Sequence, residues 1–62
     1  MKASKLNKNE FELELTVEEC LVIANCINEA CNEMDADEFD TRVAGSRDDA
    51  LKLRDILRAA AQ

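Results

Sequence analysis

The three cysteines are the residues with the most evident chemical potential, because the chain contains no histidine. Cys20, Cys26 and Cys31 all lie in one stretch with helical periodicity. At a rise of about 1.5 Å per residue, Cys20 and Cys31 are roughly 16 Å apart, whereas a disulfide needs Cα atoms within about 7 Å. Their spacings of six and five residues also differ from the close clusters of structural zinc sites. We therefore expect no intrachain disulfide, metal or cofactor, and interpret the thiols as small apolar residues of a helix interior.

Catalytic groups of other kinds are also scarce. Without His or Tyr, general acid–base catalysis depends on carboxylates or lysines whose pKa values burial must shift. A 62-residue domain provides little interior for this. The acids of residues 35–40 resemble the start of a calcium loop, but Phe39 and Asp40 stand where that pattern needs an oxygen ligand and a glycine. We predict that the protein is not an enzyme and holds no metal.

Composition indicates the compartment. Free thiols are typical of a reducing cytosol, and the sequence contains no apolar segment of signal-peptide type. No apolar run approaches the roughly 20 residues that span a bilayer. The expectation is a cytoplasmic protein that does not bind membranes.

The net charge of −6 is unevenly distributed along the chain. Residues 1–9 carry three lysines and no acid, residues 10–41 carry eleven acids and no base, and residues 42–62 carry five bases and three acids. A well-solvated surface is one interpretation of the acidic middle. The other is an acidic face that attracts a basic partner by long-range steering.

The start of the chain predicts a flexible tail and then a strand. Residues 1–9 are polar and aperiodic, so the predicted single domain covers residues 10–62. Residues 11–15 alternate apolar and acidic side chains, which is typical of a half-buried strand. Because no second strand pattern follows, the partner strand would come from another copy across a two-fold axis. Otherwise the segment is an extended arm on the helices. A homodimer is therefore expected.

Capping signals predict three helices. Thr16 and Glu19 form a capping box at the start of a helix that runs to about Met34. Its apolar residues sweep roughly 220°, wider than the stripe of a surface helix. Asp37 would cap a short helix over residues 38–44. Phe39 and Val43 of this helix would both face inward. Gly45 would adopt the left-handed conformation after this helix.

Ser46 would cap the last helix, from Arg47 to near Ala60, whose inward stripe is Ala50, Leu53, Ile56, Leu57 and Ala60. The predicted fold class is thus all-α. It is a small three-helix domain, with a long, a short and a third helix, preceded by a short N-terminal strand or extended arm.

Two stretches resemble DNA-binding modules. Residues 39–51, a short helix, a glycine turn and a capped helix, resemble the helix-turn-helix of repressors. That resemblance implies nucleic-acid contacts from Arg42, Ser46 and Arg47, although Asp48 and Asp49 would meet phosphates there. The order of a strand and two long helices also resembles ribbon-helix-helix repressors. The glutamates of that strand do not suit a DNA groove, however, and a short extra helix separates the long ones.

Three segments resemble a pattern in small uncharacterised bacterial proteins: L-T-V-E-E (15–19), I-N-E-A-C-N (27–32) and E-F-D-T-R-V-A-G-S-R-D-D-A (38–50). The similarity covers most of residues 13–57. It implies a bacterial or phage origin, and it carries over no activity and no functional residue.

The function predicted from these patterns is a non-enzymatic protein-binding module. It would be a small bacterial or phage inhibitor, immunity or antitoxin-like protein whose acidic surface meets a basic partner. The residues expected to contact that partner are Glu18, Glu29, Glu33, Asp37 and Asp40. One alternative is a helix-turn-helix-type DNA-binding regulator, and another is a helical assembly subunit, which the wide apolar arc favours.

Overall fold

A β-hairpin precedes three helices in the computed structural model, which describes all 62 residues. The elements in chain order are β1 (Lys2–Asn7), β2 (Glu10–Glu14), α1 (Val17–Glu33), α2 (Ala36–Val43) and α3 (Arg47–Ala60). The predicted all-α fold class is therefore wrong, because the chain is a small mixed α/β fold. The three-helix order itself is as predicted.

The hairpin pairs β1 with β2 in antiparallel register. Lys2 lies opposite Glu14, Ala3 opposite Leu13 and Lys5 opposite Phe11, with an irregularity between Lys5 and Asn7. In the turn, the Asn9 amide donates to Asn7 Oδ1 at 2.9 Å. The partner of β2 is thus β1 of the same chain, and not a strand from another copy. Residues 2–7, predicted to belong to a flexible tail, pair through their backbone although they lack an apolar alternation.

Helix α1 begins at the predicted capping box. The Glu19 amide donates to Thr16 Oγ1 at 3.1 Å, and the Thr16 amide donates to Glu19 Oε1 at 2.9 Å. The Met34 amide closes the helix by donating to Ala30 O at 3.1 Å. The buried residues of α1 are Cys20, Ala24 and Cys31. At 100° per residue these three span an arc of only about 40°, so most of the predicted apolar arc of roughly 220° is half-buried or exposed.

Helix α2 begins two residues earlier than predicted. Asp35, not Asp37, is the cap, and its Oδ1 accepts from the Glu38 amide at 2.8 Å. Phe39 is buried as predicted, whereas Val43 is exposed. The left-handed residue is Ala44, with φ 61°, and not Gly45.

Helix α3 starts at the predicted Ser46 cap, whose Oγ accepts from the Asp49 amide at 3.0 Å. It packs against α1 as an antiparallel pair, because Arg47 contacts Cys31 whereas Arg54, further along α3, contacts the earlier Asn28. Arg47 and Arg54 therefore lie on the side of α3 that faces α1. Of the predicted inward stripe, Leu53, Ile56 and Ala60 are consequently exposed, contrary to expectation.

The molecule is flat and open. It measures 31 × 30 × 14 Å, and its Cα radius of gyration is 12.6 Å, against about 10.6 Å for a compact chain of this length. Most of the difference follows from the hairpin, because no strand residue has its Cα within 8 Å of a helix residue. None of the helices has the length and apolar character needed to cross a membrane.

Candidate partner-binding surfaces

Three of the five predicted partner-binding acids form an exposed group on α1. Glu18, Glu29 and Glu33 are all exposed. At 100° per residue they fall within about 60° of one another, roughly opposite the buried side of the helix. We call this group the α1 acidic face. It points away from α3, because α1 turns its buried side toward that helix.

The other two acids, Asp37 and Asp40, lie on α2. They line a shallow depression of about 250 Å³ between the starts of α2 and α3, together with Ala36, Ser46, Arg47 and Asp48. The structure therefore brings these two acids next to residues predicted for the alternative nucleic-acid contact. The α1 acidic face contributes nothing to this depression.

None of the five acids has an ion-pair partner within the chain. The ion pairs present join the Met1 amine to Glu19 at 2.8 Å and Arg54 to Asp55 at 2.9 Å. Within α1, Glu29 and Glu33 are spaced i,i+4, and the last turn of the helix contains no base. Like charges at this spacing repel, and a negative charge near a helix C-terminus opposes the helix dipole. These two carboxylates therefore reduce the stability of the helix that carries them.

Glu19 differs from the other acids because its charge is used within the fold. A hydrogen bond from the Met1 amine, and a second from the Thr16 backbone amide, lower the pKa of Glu19 below its usual value. This side chain caps α1 and anchors the start of β1. It is a structural carboxylate and not a free binding group.

The residues predicted for nucleic-acid contact are partly engaged in the fold. Arg47 Nε donates to Cys31 O at 3.0 Å in a part-buried position. Ser46 Oγ is occupied as the cap of α3. Only Arg42 is exposed without a hydrogen bond of this kind, and Asp48 and Asp49 fill the first turn of α3. Two of the three groups are thus already committed to holding α3.

The cysteines occupy two environments. Cys20 and Cys31 are buried, as expected for apolar residues, whereas Cys26 is exposed, contrary to expectation. All three are free thiols. No cluster of three or more His, Cys, Asp or Glu side chains is arranged to hold a metal ion.

Sequence reasoning missed one surface, which belongs to the hairpin. Phe11 is 66% exposed and Leu13 is 54% exposed. They share one side of the hairpin with Ala3 and Lys5, since opposed residues of an antiparallel pair project together. The alternation of apolar and acidic residues predicted a half-buried strand, but nothing in this chain covers it. We call Ala3, Phe11 and Leu13 the hairpin apolar face.

Comparisons with known proteins identify no relative of this chain. No protein-family model matches it, and neither a curated protein nor a solved structure shows detectable similarity.

Proposed function

We propose that the protein is a non-enzymatic protein-binding module that acts as an inhibitor, immunity or antitoxin-like protein against a basic partner. The observation that carries this proposal is the α1 acidic face, whose three exposed carboxylates lack any counter-charge in the chain. The proposed contact with the partner extends to Asp37 and Asp40 on α2. The proposal includes a cytoplasmic location and a bacterial or phage origin.

Position on the helix supports a binding role for these acids. Glu29 and Glu33 sit near the negative end of α1 with no base beside them, where both repulsion and the helix dipole disfavour them. Side chains that reduce stability while serving no contact within the fold are typical of functional surfaces. Basic side chains of a partner would relieve both unfavourable effects.

The size of the face suits a protein partner with a phosphate-binding surface. Glu18 and Glu33 are about 22 Å apart along the helix axis at 1.5 Å per residue, a length comparable to a standard protein interface. Carboxylates in a row present negative charge as a nucleic-acid backbone does. A nuclease or another nucleic-acid-binding protein is therefore the natural class of target. Steering by these charges would make association fast at low salt.

Affinity capture with charge-reversal variants tests the proposal. The protein, tagged at its C-terminus to leave the Met1 amine free, is used to capture proteins from a lysate of its source, with and without nuclease treatment. Glu29→Lys and Glu33→Lys are compared with Asp49→Lys, which makes the same charge change on α3. We expect one basic protein to survive nuclease treatment, and the two α1 variants, but not Asp49→Lys, to lose it.

Two results would contradict the proposal. Retention of the partner by both α1 variants would show that the α1 acidic face does not bind it. Loss of all captured protein on nuclease treatment would favour the DNA-binding alternative, which Arg42→Ala would then test.

A further inference from the structure

We propose that the free edge of β2 binds an extended basic segment of a partner as a third antiparallel or parallel strand, in which basic and apolar side chains alternate. This inference rests on the proposed function, because it assigns a second contact to the same basic class of partner. It concerns a different surface from the α1 acidic face.

The hairpin as it stands lacks the cover that a sheet of this kind needs. A two-stranded hairpin is marginally stable in water, and a third strand or a packed helix is normally required. No helix residue has its Cα within 8 Å of a strand residue, and Phe11 and Leu13 remain mostly exposed. A third strand supplied by a partner would meet this requirement.

The distribution of apolar residues selects the β2 edge. Phe11 and Leu13 both belong to β2, whereas the opposed positions of β1 are Lys5 and Ala3. A strand added beside β2 makes it central, so that Phe11 and Leu13 gain neighbours on both sides. A strand added beside β1 would leave these residues at the edge.

Charge selects the chemistry of the added strand. Glu10, Glu12 and Glu14 project from the side of β2 opposite to the hairpin apolar face, since side chains alternate along a strand. Within the hairpin only Glu14 has a base opposite, Lys2, while Glu12 faces Ser4 and Glu10 faces Asn7. Glu10 accepts a 2.9 Å hydrogen bond from Asn7 Nδ2, but neither Glu10 nor Glu12 has an opposite charge across the hairpin. Basic side chains on an incoming strand would supply that charge, and each such pair is favourable.

The same charges disfavour a second copy at this edge. Pairing β2 with β2 across a two-fold axis sets glutamates against glutamates, which is unfavourable for directly opposed residues. Strand β1 shows what the inner edge accepts. Lys2 lies opposite Glu14 on one side, and Ala3 and Lys5 lie opposite Leu13 and Phe11 on the other. A basic partner strand would repeat this arrangement on the outer edge.

The exposed area is consistent with a partner of ordinary interface size. The surface of the chain is 4909 Å², whereas a folded monomer of this mass exposes about 4,000 Å². The excess of about 900 Å² is close to the roughly 800 Å² that each partner contributes to a stable interface. The hairpin is the part of the fold that departs from a compact shape.

Peptide binding to the full chain tests the inference. The probe is a fluorescent peptide in which lysine alternates with valine. Three control peptides are a block arrangement of the same composition, a version with glutamate for lysine, and a version with N-methylated amides on one edge. The variant Glu10→Gln/Glu12→Gln/Glu14→Gln is compared with Glu38→Gln/Asp48→Asn/Asp49→Asn on α2 and α3, which lies outside the α1 acidic face, since each changes the net charge from −6 by +3. Anisotropy gives the affinities, and amide exchange reports β2.

We expect the alternating peptide to bind and the exchange of β2 amides to slow. The strand triple variant should weaken this affinity by about tenfold or more, and the helix triple variant by less than about threefold. Equal binding of the block or N-methylated peptide would overturn the inference, because charge alone would then suffice. So would a larger loss in the helix triple variant, or self-association through this edge.

The two proposals fail separately. Absence of any peptide binding would show that the glutamates only protect an edge against aggregation, and the inference would be wrong. Capture with Glu33→Lys would still decide the proposed function, because that variant leaves β2 unchanged.

Discussion

Arg54 Nη1 donates a 2.8 Å hydrogen bond to Asn28 Oδ1 and so joins α3 to α1 at mid-helix. The same guanidinium donates to Asp55 Oδ1 through Nε at 3.0 Å. Two turns earlier on α3, Arg47 Nε donates a hydrogen bond to the Cys31 carbonyl oxygen. Polar side chains thus determine how α3 is rotated against α1, and this rotation leaves Leu53 and Ile56 facing solvent.

Replacing Arg54 by alanine should destabilise the fold by about 1–2 kcal/mol, because a charge-assisted, part-buried hydrogen bond and the packing of the arginine stem are lost. Urea unfolding measures this as a lower midpoint at unchanged slope. Lys52→Ala, on the exposed side of the same helix, should change stability by less than about 0.5 kcal/mol. Equal effects of the two variants would mean that the Asn28 contact contributes nothing.

The end of α2 gives a second prediction, with opposite expectations for two neighbouring residues. Ala44 adopts φ 61°, a conformation that costs a residue with a Cβ about 1–2 kcal/mol, so Ala44→Gly should stabilise the protein by about 1 kcal/mol. Gly45 has no positive φ, and a Cβ there would meet nothing within 4 Å. Gly45→Ala should therefore be neutral or stabilising by a few tenths of a kcal/mol. Marked destabilisation by Gly45→Ala, measured by thermal unfolding, would place the left-handed residue at Gly45.

The α1 acidic face gives a third prediction, which separates stability from function. Glu33→Lys should stabilise the protein by about 0.5–1 kcal/mol at low salt, because it removes repulsion with Glu29 and sets a positive charge near the helix C-terminus. Asp49→Lys, in the first turn of α3, should instead destabilise by a similar amount. Chemical denaturation at low and high salt measures both, and high salt should reduce each effect. A Glu33→Lys protein less stable than the wild type would show that Glu33 serves the fold.

Acid titration gives a fourth prediction, at Glu19. The Met1 amine and the Thr16 amide lower the pKa of Glu19 in the folded state, so ionised Glu19 stabilises the protein above its unfolded pKa of about 4.3. This contribution is lost as pH falls through the lower folded pKa. Glu19→Gln should therefore show a shallower loss of stability below about pH 4.3 than the wild type. Urea unfolding across this pH range measures the slope, and a Glu19→Gln protein with the wild-type slope would contradict this role of Glu19.

Local capping chemistry made much of the helical fold predictable. Thr16 and Ser46 fix the starts of α1 and α3 through short-range hydrogen bonds that the sequence encodes directly. Strand β1 was missed because its pairing depends on β2 and not on any apolar alternation of its own. Asn7 and Asn9 were the available signal, since asparagine favours tight turns.

The rotation of α3 was not predictable from hydrophobic periodicity. Periodicity placed Leu53 and Ile56 inward, whereas Arg47 and Arg54 found specific acceptors on α1, the Cys31 carbonyl and the Asn28 side chain. Such pairings between distant segments have no local pattern. For the candidate site, the sequence identified which acids are exposed, but only the structure shows that they lack ion-pair partners and that Asp37 and Asp40 lie apart from the α1 acidic face.

The central claim is that the α1 acidic face binds a basic protein, and the salt dependence of one affinity tests it most directly. The captured partner is purified, and its dissociation constant is measured for the wild type and for Glu29→Lys/Glu33→Lys at low and high ionic strength. The account predicts that the double variant binds at least about a hundredfold more weakly at low salt and loses most of the salt dependence. An unchanged affinity with an unchanged salt dependence would contradict it.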